Sequence, residues 1–89
     1  MISSYELLLN DALEKVVDAI SRHERNEKAP LSIHVLTQVK KELEEMIRTM
    51  NPKVYMPAYP RFILDWPCED ILITELVDIA ALYGKIRKN

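Results

Sequence analysis

The sequence predicts an all-α protein: a three-helix bundle in which a long connection, rich in proline and aromatic residues, joins helices two and three. Three observations carry that prediction. Apolar residues recur in steps of three and four through three stretches, about 3–27, 31–50 and 67–86, which is the helical period. The first two stretches are separated by only a few residues around Pro30, so their helices should be antiparallel neighbours. The last stretch is too apolar for a helix with one covered side: between Ile71 and Tyr83 only Thr74, Glu75 and Asp78 are polar. A surface helix needs an apolar stripe only about 100° wide. Helix three is therefore expected to be the central one, with neighbours on two sides.

Helix one opens on a readable start. Ser3 suits the N-cap, Glu6 completes a capping box, and Ile2 with Leu7 supplies a hydrophobic staple. Its core face runs Tyr5, Leu9, Ala12, Val16, Ile20 and His23, with Asp11, Glu14, Lys15, Asp18 and Arg22 largely opposite. It should fade near Asn26 to Lys28, before Pro30.

Helix two begins near Pro30, favoured at a first helical position, or at Ser32 as an N-cap. Its stripe is Ile33, Val35, Leu36, Val39, Leu43, Met46, Ile47 and Met50. Lys40, Lys41, Glu42, Glu44, Glu45 and Arg48 are interleaved and read as a solvated face laced by i,i+4 pairs. The helix should stop at Asn51-Pro52, because Asn tolerates the left-handed conformation and Pro cannot continue.

The connection 51–66 holds Tyr55, Tyr59, Phe62 and Trp66 with Pro52, Pro57 and Pro60. A structureless loop of that length is uncommon in a compact domain, so a short helical turn is expected over Arg61 to Asp65. The connection is long enough to return along a whole helix, which leaves both directions open for helix three. Helix three should start at Asp65-Trp66-Pro67. Gly84 either ends it or lies inside a frayed last turn, and Ile86 continues the apolar phase.

Composition sets the class. Eighty-nine residues make one domain, which buries about 60% of the surface its unfolded chain exposes. Acids and bases are spread evenly, six and four in 1–28, three and three in 29–52, five and five in 53–89. No basic stripe invites a phosphate backbone, so nucleic acid is disfavoured. The absence of a leader or a long apolar run, and the lone Cys68, read as cytoplasmic with no membrane contact.

The catalytic candidates are thin. Cys68 falls in the first turn of helix three, where N–H groups favour a thiolate, but Glu69 and Asp70 oppose it. A thiol or redox protein centred on Cys68 is one alternative reading; a nucleic-acid-associated regulator using Lys85, Arg87 and Lys88 is another. His23 with Glu24 or Glu27, and His34, form too weak a ligand pattern for zinc. One glycine excludes a glycine-rich phosphate loop, and no acid–base pair stands out. The expectation is a non-enzyme without cofactor or metal. Tyr55, Met56, Tyr59, Arg61, Phe62 and Trp66 place interface-favoured side chains on one loop. With helix three they predict a contact for a protein partner or a second copy. The competing reading folds that loop over the bundle with its aromatics in the core.

Overall fold

The computed structural model describes residues 4–29, 31–63 and 71–86, apart from the side chain of Phe62. The described residues are all helical or irregular: α1 Ser4–Glu24, α2 Ile33–Thr49, α3 Tyr59–Ile63 and α4 Ile71–Tyr83. The N-cap expected at Ser3 and the helix-three start at Asp65-Trp66-Pro67 lie outside the described residues.

Helix α1 ends in a Schellman motif. Asn26 takes the left-handed conformation (φ 60°). The Glu27 N–H donates to the Arg22 carbonyl, and the Asn26 N–H to that of His23, which satisfies carbonyls the helix leaves open. Four residues after Glu27 the chain meets Leu31, itself left-handed (φ 67°) and buried. That conformation costs a leucine about 1–2 kcal/mol. Burial of its side chain and a 2.8 Å hydrogen bond from His23 Nε2 to its carbonyl hold it there. Ser32, not Pro30, starts α2: it is extended, and its Oγ accepts from the Val35 N–H.

At the other end of α2 the left-handed residue is Met50, one position before the expected Asn51. The residue preceding a proline is driven to extended backbone, so Pro52 moves the turn back by one. The Asn51 carbonyl then accepts from the N–H groups of Val54 and Tyr55, and its side chain from the Lys53 N–H.

The helices surround one core in a ring, with α1 against α2, α2 against α3, α3 against α4 and α4 against α1. The expectation of a central helix three is corrected here. It has covered neighbours on two sides, α1 and α3, but it is one member of the ring because α3 fills the position between it and α2. Leu72, Leu76, Ile79, Ala80 and Tyr83 are buried, Thr74, Asp78 and Ala81 face water, and Ile73, Val77 and Ile86 are half-buried against the core. Ile71 stands 77% exposed at the start of the described helix. The short helical turn forms at Tyr59–Ile63, two residues earlier than 61–65.

Direction is settled by two contacts. The Tyr83 hydroxyl, at the C-terminal end of α4, lies 2.9 Å from Thr49 Oγ1, at the C-terminal end of α2, so those helices run parallel. Lys15 of α1 reaches Glu75 of α4 at 2.6 Å, while Tyr5, Leu8 and Leu9 meet Ile79, Leu82 and Tyr83, so α1 and α4 are antiparallel. After Tyr83 the chain tightens: the Lys85 and Ile86 N–H groups donate three residues back, and Gly84 has no positive φ. Gly84 therefore lies in a frayed last turn.

Candidate functional site

The connection between α2 and α4 is held by three side chains, and the first is an acid. Glu42 sits mid-way along α2 and is only 2% exposed. Its Oε1 accepts from the N–H groups of Ala58 and Tyr59 (2.8 Å for Tyr59), and its Oε2 accepts from the Gln38 amide at 2.9 Å. The first N–H groups of any helix lack partners inside it; here a carboxylate from a neighbouring helix supplies them and caps α3. This corrects the reading of Glu42 as part of a solvated face. Its neighbours follow that reading better: Lys41, Glu44 and Arg48 are exposed, although Arg48 pairs with Glu45 (2.6 Å) and not with Glu44.

The other two ties are tyrosines that work in opposite directions. Tyr59, from the connection, is completely buried, and its hydroxyl donates to the Leu76 carbonyl of α4 at 2.6 Å. Tyr83, from α4, reaches back into the connection. Its hydroxyl lies 2.7 Å from the Tyr55 carbonyl, 3.0 Å from that of Asn51 and 2.9 Å from Thr49 Oγ1. It has one proton to give, and the Tyr55 carbonyl is the nearest acceptor. Thr49 has its own acceptor in the Glu45 carbonyl. No buried side-chain polar atom among the described residues lacks a partner.

Between these ties the chain alternates. Val54, Met56 and Ala58 are exposed, whereas Tyr55 and Pro57 are half-buried and Tyr59 is buried. Val54 lies in the turn closed by the Asn51 carbonyl on the Val54 and Tyr55 N–H groups, and the chain from there to α3 is irregular. The exposed residues are three apolar side chains, Val54 at 69% and Met56 at 58% exposure among them.

The six predicted contact residues therefore separate. Met56 and Arg61 are exposed. Tyr55 is half-buried and contributes its carbonyl to Tyr83. Tyr59 lies in the core, which takes its ring out of any surface patch: its phenol finds an acceptor inside, so the whole ring is buried without leaving a polar atom unmet. The Phe62 side chain and Trp66 lie outside the described residues, as does Cys68. Val54 and Ala58 were not singled out by the sequence, although their even spacing with Met56 was the available signal.

Burial first, and the Glu42 carboxylate second, hold the Tyr59 phenol well above its ordinary value of 10.0. Because the unfolded chain ionises first, the stabilisation linked to Tyr59 is complete below about pH 10 and declines as pH rises beyond it. Urea melts at about pH 8 and about pH 10.5 should show that decline, and Tyr59→Phe should reduce it.

Other charged groups form surface pairs. Lys15 bridges Asp11 and Glu75, and Arg22 pairs with Asp18; such exposed contacts are worth about 0–1 kcal/mol each. Together with Glu14 and Ile71 these residues line a groove of about 400 Å³ between α1 and α4. His23 is committed to Leu31, His34 is exposed, and among the described residues no group of three His, Cys, Asp or Glu is placed to hold a metal. No helix of the described residues is long and apolar enough to cross a membrane.

The fold and site thus define a class: a small all-helical protein whose longest connection is tied down by an internal carboxylate and two tyrosines. Comparison with known protein families, curated proteins and solved structures finds no match.

Proposed function

We propose that this protein is a small helical interaction module whose contact surface is the outward stripe of the connection between α2 and α4. One observation carries this reading: Val54, Met56 and Ala58 face water on a backbone that Glu42 and Tyr83 hold in place. Scattered exposed apolar residues are ordinary; three within five residues make a local patch. A partner meeting a loop already ordered loses less conformational freedom on binding. Met56 brings a flexible, polarisable side chain suited to such contacts, and of the other predicted residues Arg61 is exposed and Tyr55 half-buried. In this reading the protein acts by binding, without catalysis, cofactor or membrane contact, in a cytoplasmic setting.

The test is a photo-reactive residue in place of Met56, expressed in the cells that make the protein, with Lys41 of α2 as the exposed control position. The expected result is a protein crosslinked from position 56 and not from 41, and lost when Val54→Asp is added. Sedimentation across a concentration series tells a second copy from a different chain. Equal crosslinking from both positions, or none from either, rejects the proposal. Met56→Asp itself should change stability by no more than about 0.5 kcal/mol, as befits an exposed side chain.

A further inference from the structure

We infer that the occupant of the surface at Val54, Met56 and Ala58 is an acidic segment of another protein that also carries apolar side chains. The inference rests on the interaction reading above and adds the partner's chemistry. Charge around these side chains is one-sided. From Met46 to Leu64 the sequence contains no Asp or Glu. Residues 51–63 carry Lys53 and Arg61 and therefore +2, in a chain of net charge −2, so the remainder carries −4. Both side chains are exposed, one at each end of the stripe, and neither forms an ion pair among the described residues. The Glu42 carboxylate beneath the stripe is buried and engaged by three N–H donors, so it presents no free acceptor to a partner. Complementary charge at a rim steers encounter and excludes wrong partners.

A second copy of this chain fits the exposed side chains less well. Its exposed acids are spread over α1, α2 and α4, at Asp11, Glu14, Asp18, Glu44 and Asp78, and Asp11 and Asp18 already face Lys15 and Arg22. Joining a helix of one molecule to the connection of another uses two different surfaces, which yields open chains unless the rotation closes.

Binding of labelled synthetic peptides to the full chain tests this. One peptide has a Leu-Ser-Phe centre with paired acids at both ends, one the same centre with lysines at the ends, and one acidic ends around Gly-Ser-Gly. The first should bind, with the other two at least about tenfold weaker. The double variant Lys53→Glu/Arg61→Glu should weaken the first by about tenfold and favour the second, with an unchanged thermal melt. Equal binding of acidic and basic peptides, or a preference that survives the double reversal, overturns the inference. So does self-association blocked by Met56→Asp with no peptide bound, which assigns the stripe to a second copy. If no peptide binds but the position-56 crosslink to another protein persists, the acidic partner is excluded and the interaction reading stands. If both fail, both fall.

Discussion

Tyr59→Ala is expected to cost about 3–5 kcal/mol, a large share of the roughly 4–13 kcal/mol available to a chain of this length. The ring is wholly buried at the meeting point of α2, α3 and α4, so its removal leaves a cavity and leaves the Leu76 carbonyl without its phenol. Tyr59→Phe keeps the ring and should cost only about 0.5–1.5 kcal/mol. Urea denaturation of the two variants separates packing from the hydrogen bond. Read as a partner-facing side chain, Tyr59 would have tolerated truncation; its burial reverses that expectation and puts it beside Leu76→Ala, at about 2–5 kcal/mol. An Ala variant as stable as the parent would remove Tyr59 from the core.

Glu42→Leu should also be damaging, by about 1–3 kcal/mol for the Tyr59 N–H left buried without an acceptor, with a smaller loss at the part-buried Ala58 N–H. Glu42→Gln keeps an oxygen for those donors and should lose less, since neutral hydrogen bonds have about half the strength of charge-assisted ones. The informative readout is local. Amide exchange at Ala58 and Tyr59 should accelerate in Glu42→Leu, before the centres of α1 and α2 are affected. Unchanged exchange at those two amides would mean that the carboxylate does not hold the connection.

The two residues behind these predictions show where sequence reading stops. The stripes of α1 and α2 are legible because a helix with one covered face repeats its apolar residues every three or four positions: Leu9, Ala12 and Val16 on α1, and Leu36, Val39 and Leu43 on α2, are all buried. The polar strip of α4 at Thr74, Glu75 and Asp78 is legible for the same reason: Thr74 and Asp78 are exposed and Glu75 half-buried. Glu42 is not. It stands in a run of charged residues and looks solvated until the connection folds over it, and nothing local marks the N–H groups sixteen and seventeen residues away that it will accept. Met50 could have been found, since Pro52 acts on its neighbour through local sterics.

The candidate site divides along the same line. That the connection carries aromatic, methionine and arginine side chains is plain from its composition. Which of them face water depends on where the backbone is tied. Glu42 and Tyr83, from the elements before and after the connection, set those ties; they turn Tyr59 inward and Val54 and Met56 outward.

By itself, then, the chain's residue order determined its helical class, the faces of its long helices and the approximate site of a short turn between the second and the last. Only the tertiary structure decided that this turn takes a place in the ring, that the last helix runs parallel to α2, and that an acid in the middle of α2 is buried. The physical reason is range. Periodicity and capping act within a turn or two of a helix, whereas a buried carboxylate and two tyrosine hydroxyls find their partners only when segments distant in sequence have been brought together.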